Sequence, residues 1–127
     1  MTARKRIMVV EDDTTIRNLM TDILQDAGYE VSGYASAEEA LSCIDSVRPV
    51  LITLDLAMPS MDGVEFLRLL RERSGDAGPS VVLVTAAPEF LRQELAQQGH
   101  RVLPKPFHVD QFLDTVDRAL SPRESVA

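Results

Sequence analysis

The run Ile7-Met8-Val9-Val10-Glu11-Asp12-Asp13 decides how this chain folds. Four apolar residues in an unbroken row read as a strand buried on both faces, and the three acids behind them end it abruptly. Directly beyond, Ile16, Leu19, Met20, Ile23, Leu24 and Ala27 recur at three- and four-residue intervals, the stripe of an amphipathic helix. Gly28 stands where a C-cap glycine closes such a helix.

The same unit then repeats. Tyr29–Tyr34 reads as a short strand of mixed polarity. Ser36-Ala37-Glu38-Glu39 is a capping box that opens a helix with Ala37, Ala40, Leu41 and Ile44 on its apolar face. Val50–Leu54 is a second buried run and ends at Asp55. Asp62 and Glu65 form another capping pattern over the stripe Val64, Leu67 and Leu70. Val81–Val84 is the third buried run and ends at Thr85. Pro88 suits the first turn of a helix, with Leu91 and Leu95 as a weak stripe before Gly99. Val102-Leu103 is a short strand stopped by Pro104-Lys105-Pro106, and Val109, Phe112, Leu113, Val116 and Leu120 mark a last helix. Strands alternating with helices build a parallel sheet covered on both faces. The expected fold is α/β, a flavodoxin-like (βα)5 three-layer sandwich of strand order 2-1-3-4-5, with the two poorest apolar runs at the edges.

With 127 residues, 45% hydrophobic and 26% charged, the chain fits a single domain, residues 1–127, with its core at about 5–120 and a short tail at 121–127. No apolar run is long enough to span a bilayer. A net charge of −7 argues against direct binding to a nucleic-acid backbone, which requires a positive patch. The lone Cys43 fits a reducing cytoplasm and reads as a packing residue in the second helix.

A parallel sheet delivers every strand's C-terminal end to one edge, and ligands bind there. Glu11 and Asp12 follow the first strand, Asp55 the third, Thr85 the fourth and Lys105 the fifth. Carboxylates crowded to about 4 Å repel by roughly 1 kcal/mol per pair in water and about 4 at an effective dielectric of 20. A proton or a hard divalent cation relieves this, and Mg²⁺ uses one or two carboxylates together with phosphate oxygens. An ammonium and a hydroxyl then serve to bind phosphoryl oxygens. Asp13 and Asp62 read as helix caps instead, and His100 and His108 as surface residues without metal-ligand spacing.

Val9-Val10-Glu11-Asp12-Asp13, Leu54-Asp55-Leu56-Ala57-Met58-Pro59-Ser60-Met61-Asp62-Gly63, Val84-Thr85-Ala86 and Leu103-Pro104-Lys105-Pro106-Phe107 together resemble the response-regulator receiver domain of two-component phosphorelay signalling. The resemblance covers about residues 5 to 120, with each motif on the expected element. It implies that Asp55 is the phosphoacceptor. Asp12 and Asp55 would be metal-binding carboxylates, with Glu11 direct or through water and the Ala57 main-chain carbonyl completing the set. Thr85 would bind a phosphoryl oxygen, Lys105 would pair with the phosphoryl charge, and the Lys105–Pro106 peptide would be cis. The implied cofactor is Mg²⁺, with Mn²⁺ as a substitute. The implied phosphodonor is a histidine kinase or histidine phosphotransfer protein docking near the first helix.

The output would be a change in protein–protein contact through the fourth helix, fifth strand and fifth helix, where Arg92, Gln93, Gln97, Arg101, Gln111 and Arg118 are candidate contacts. The same resemblance suggests a monomer or weak homodimer, not an ordinary enzyme, and either a stand-alone receiver or one cut from a longer protein. Three rivals are weaker. A haloacid-dehalogenase-type phosphatase needs a second Asp where Ala57 stands. A flavin carrier needs a hydroxyl- and glycine-rich first loop in place of Glu11-Asp12-Asp13. A phosphorylation-independent pseudo-receiver usually lacks one of the key residues, and all are here.

Two departures from the family pattern matter. Val102 stands where an aromatic residue is common, and valine is stiff about its first torsion, so switching is expected to run through the loop after Thr85 and the fourth helix. The stretch from Thr85 to Lys105 is also slightly short, which predicts a short or displaced fourth helix. Ala57 and Ala87, two residues after Asp55 and Thr85, carry only methyl groups and cannot orient a hydrolytic water. Ala57→Asn is therefore expected to alter the lifetime of the phosphorylated chain severalfold, followed by intact mass over time; an unchanged lifetime would count against this reading.

Overall fold

A computed structural model of the chain describes residues 4–56, 63–75 and 78–121. These form β1 (Arg6–Val10), α1 (Thr14–Asp26), β2 (Glu30–Tyr34), α2 (Ala37–Val47), β3 (Leu51–Leu54), α3 (Gly63–Ser74), β4 (Ser80–Thr85), α4 (Glu89–Gln97), β5 (Arg101–Pro104) and α5 (Val109–Leu120). The five strands pair in parallel in the order β2-β1-β3-β4-β5, so the expected flavodoxin-like order holds. Register runs Val10 beside Leu54 and Leu54 beside Leu83, with Thr85 beside Pro104. The C-terminal ends of β1, β3, β4 and β5 thus lie along one edge, with β4 and β5 reaching two residues further.

Side chains alternate across each strand, and the alternation divides the interior into two cores. Met8, Val10, Ile52, Leu54 and Leu83 face α2, α3 and α4, packing with Ala40, Phe66 and Leu95. Ile7, Val9, Leu51, Val82 and Val84 face α1 and α5, packing with Met20, Leu24, Phe112 and Val116. Apart from Val50, which is exposed, and Val81, which is half-buried, the runs read as buried are so because helices cover both faces.

The caps follow the sequence. Asp13 accepts from the Ile16 N–H at 2.9 Å and starts α1. Ser36 accepts from the Glu39 N–H at 3.1 Å and starts α2, but the Glu39 carboxylate accepts from the Ala35 N–H at 3.4 Å in place of the Ser36 N–H that a full capping box uses. Past α1, Gly28 takes φ +102°, and the N–H groups of Gly28 and Tyr29 return to the carbonyls of Gln25 and Leu24, a glycine-closed C-terminus. α4 is the shortest of the five helices, at nine residues.

Several stripe assignments differ. Leu19, Val50 and Val109 are exposed, as is Ala27. In α3 the buried residues are Gly63, Phe66 and Leu70, while Val64 is 58% exposed. The reason is Gly63. A Cβ there would lie 2.6 Å from the Leu56 side chain and 2.7 Å from its Cα, so α3 begins in contact with the end of β3. Residue 63 pressed against the sheet rotates 64 outward and brings 66 and 70 in. Asp62, read as the cap of this helix, lies outside the described residues.

One interior group is mismatched. Thr53 in β3 is fully buried, and its hydroxyl has no hydrogen-bond partner among the described residues. Thr53→Val keeps the shape and removes the orphan. It is expected to stabilise the fold by about 1 kcal/mol, read as a higher urea midpoint at unchanged m-value; a lower midpoint would contradict the packing described.

Candidate functional site

Each polar strand-end residue is held in place by the backbone of the sheet. The Glu11 N–H donates to the Tyr34 carbonyl at 3.0 Å and the Asp55 N–H to the Val10 carbonyl at 3.2 Å. The Lys105 N–H donates to the Thr85 carbonyl at 2.9 Å. Thus β2 braces Glu11, β1 braces Asp55, and β4 braces Lys105. The Lys105–Pro106 peptide is cis, as the resemblance implied.

The side chains converge. Carboxylate oxygens of Glu11, Asp12 and Asp55 lie within 4.8 Å of one another. Lys105 Nζ donates to Glu11 Oε1 at 2.7 Å and to Asp55 Oδ2 at 3.0 Å, although 94 and 50 residues separate them in the chain. Glu11 is only 1% exposed and Asp55 6%, whereas Asp12 faces solvent. The second Glu11 oxygen, Oε2, accepts from the Asp13 N–H at 3.2 Å. Three carboxylates against one ammonium leave the site with excess negative charge and an outward-facing acid. That is an all-oxygen donor set suited to a small hard dication.

Thr85 is fully buried at the end of β4, and its Oγ1 accepts from the Ala87 N–H at 3.2 Å. Its hydroxyl is thus engaged with the loop that leads into α4. Ala57, whose carbonyl was expected to complete the metal ligands, lies outside the described residues. Arg17 was not singled out in the sequence. Its guanidinium donates to the Glu11 carbonyl at 2.7 Å, and its stem covers Gly33, where a Cβ would meet it at 3.4 Å. Spacing six residues beyond Glu11 has no helical or strand meaning across a turn, so no sequence signal marks the contact.

Burial raises the Glu11 carboxyl above its ordinary value of 4.5, and the hydrogen bond from Lys105 offsets this only in part. For Lys105 the largest single effect is burial, which pushes the ammonium down, but the hydrogen bonds and charges of Glu11 and Asp55 together outweigh it and hold the value above 10.5. The signs follow. Folding takes up a proton at Glu11 between 4.5 and its raised value, so its contribution to stability falls as pH rises through that window. The Lys105 contribution is fully present below 10.5 and is lost as pH rises through the raised value. Lys105→Met is expected to push the Glu11 carboxyl further up, read by carbon-detected NMR titration of its side chain. An unchanged Glu11 titration would refute the bridge.

This geometry has relatives. The family model for the response regulator receiver domain matches residues 7–117. The chain is 35% identical over 125 residues to the DNA-binding response regulator MtrA of Mycolicibacterium smegmatis, covering 97% of this chain and 54% of that protein. It is 32% identical to sporulation initiation phosphotransferase F of Bacillus subtilis over 118 residues, covering 91% and 94%. The chain therefore spans about half the length of the MtrA relatives and nearly all of the Bacillus one. Among solved structures, Vibrio cholerae chemotaxis protein CheY4 superposes with a TM-score of 0.83 at 33% identity, covering 93% of this chain and 100% of that one. Thermotoga maritima TrrA, solved in complex with Mg²⁺ and BeF, gives 0.80 at 32% identity, covering 91% and 99%. Motifs, strand order and the acid–lysine cluster at the sheet edge agree with these matches: the chain belongs to the response regulator receiver domain family of two-component signalling.

Proposed function

We propose that this chain accepts a phosphoryl group on Asp55 in a Mg²⁺-dependent reaction and converts it into altered protein–protein contact. The observation that carries this reading is the bridge from Lys105 Nζ to both Glu11 and Asp55 beside the outward-facing Asp12. It joins one nucleophilic carboxylate, two further acids for a metal and one cation for the transferred charge. Glu11, Asp12 and Asp55 would hold the ion together with the Ala57 carbonyl, and Mn²⁺ would substitute. An ion held there would supply positive charge to offset that on the phosphoryl oxygens.

The remaining steps belong to the chain itself. An Asp55 carboxylate oxygen attacks phosphorus in line, the bond from phosphorus to the donor breaks, and an acyl phosphate results. Lys105, already within reach of Asp55, turns its ammonium to an oxygen of the transferred group and remains paired with Glu11. The Thr85 hydroxyl, now accepting from Ala87, becomes a donor to another phosphoryl oxygen. Water later attacks the phosphorus of the acyl phosphate, releasing inorganic phosphate and restoring the Asp55 carboxylate.

The donor would be a histidine kinase or histidine phosphotransfer protein, and the output surface α4, β5 and α5. On that surface Gln93, Gln97, Arg101, Gln111 and Arg118 are exposed, and Arg92 is half-buried. We read residues 1–127 as one receiver domain, monomeric or weakly dimeric, acting in the cytoplasm without direct nucleic-acid binding. No helix among the described residues is long and apolar enough to cross a membrane.

Incubation with Mg²⁺ and acetyl phosphate is expected to add one phosphoryl group by intact mass. The addition should vanish with excess EDTA and in Asp55→Asn. Persistence of the addition in Asp55→Asn would sink the assignment of the phosphoacceptor. Mg²⁺ at ten times its dissociation constant should also stabilise the protein by about 1.4 kcal/mol, seen as a higher Tm that EDTA reverses.

A further inference from the structure

The residues between Thr85 and α4 are Ala86, Ala87 and Pro88. The two alanine methyls are too small to push α4 by packing. Val102, on β5, is half-buried and packs against the core cluster that includes Leu95 of α4. It has no polar atom and one stiff torsion. Yet the loop and helix are joined by hydrogen bonds that meet at one residue, Ala87. The Ala87 N–H donates to Thr85 Oγ1 at 3.2 Å, and the Ala87 carbonyl accepts from Arg92 Nη1 at 2.5 Å. Arg92 is anchored a second time, its own N–H donating to the Pro88 carbonyl at 3.1 Å. The arginine therefore clamps the loop to the first turn of α4 through side chain and backbone together.

We propose that Arg92 is the positioning residue that carries the state of Thr85 into α4. This rests on the reading that Thr85 binds a phosphoryl oxygen. When the Thr85 side chain turns to donate to that oxygen, the Oγ1 that accepts from the Ala87 N–H changes position. The Ala87 residue has to shift, and its carbonyl takes the Arg92 guanidinium with it. A charge-assisted bond from a planar fork is short and directional, so the displacement reaches the helix without an aromatic side chain in between. Half-burial of Arg92 keeps the bond from being freely exchanged with water.

The test uses the full chain labelled with ¹⁵N and titrated with Mg²⁺ and beryllofluoride. In the wild type the amides of Thr85, Ala87 and Gln93–Gln97 are expected to shift, together with the Arg92 side-chain N–H signals. In Arg92→Met, a helix-forming residue of similar stem, the Thr85 and Ala87 shifts should persist, while those of Gln93–Gln97 fall at least twofold. Arg92→Gln, too short to reach the carbonyl, should behave alike and carries the test should α4 be lost in the first variant. Undiminished α4 shifts in both variants, or a silent Arg92 side chain in the wild type, would overturn the inference. So would a wild type in which Thr85 and Lys105 respond and Ala87 does not, with the phosphoacceptor reading left intact. A wild type in which Thr85 and Lys105 are themselves silent would remove that reading, and this inference with it.

Discussion

The Lys105 ammonium, set between Glu11 and Asp55 at 2.7 and 3.0 Å, is the contact that makes the acidic edge of this sheet tolerable. Both carboxylates are nearly inaccessible to water, and an unpaired buried charge is far more costly than an exposed one. Without a cation, the C-terminal edge would bring like charges together where solvent cannot screen them. Burial still dominates at Glu11, whose carboxyl stays above its ordinary value despite the lysine. The site is therefore electrostatically unfinished. Its excess negative charge and the outward Asp12 give a divalent ion a reason to bind.

The parallel fold brings these groups together, and its two cores keep them there. β1 lies between β2 and β3, so Glu11 and Asp55 emerge from adjacent strands. Met8 and Val10 face one layer of helices and Ile7 and Val9 the other, which leaves the strand no freedom to turn about its own axis. A slip of one residue would exchange every buried side chain for its opposite face, and would also carry the acids away from the lysine. Packing thus sets the geometry of the site, although none of the packed residues takes part in its chemistry.

The other side of the site is built more lightly. Thr85 lies at the end of a buried strand, but its hydroxyl points its hydrogen-bonding capacity at a loop of two alanines and a proline. Ala86 and Pro88 of that loop are exposed, and α4 behind it is the shortest of the described helices, with Leu95 as its one buried residue. Regions with little buried surface are the ones that move at low energetic cost. In the proposed function this arrangement would separate the group that receives charge, beside the lysine, from the group that responds to it.

Much of this was legible in the residues. The apolar runs at 7–10, 50–54 and 81–84, the second broken only by Thr53, have strand length, and their order with the intervening helical stripes points to a parallel α/β sheet. The caps at Asp13 and Ser36 and the convergence of Glu11, Asp12, Asp55 and Lys105 follow from local chemistry and from the rule that parallel strands share an edge. Other features needed the tertiary structure. Gly63 against Leu56 set the rotation of α3 and put Phe66 inside and Val64 outside, because a close backbone approach overrides the helical stripe. The Arg17 contact with Glu11 and the Arg92 contact with Ala87 join residues whose spacing carries no periodic meaning, and nothing local to Thr53 marks its hydroxyl as unpartnered among the described residues. Periodicity reports which face of an element is buried; the partners of a long polar side chain depend on where neighbouring backbones end, and that is decided only when the elements pack.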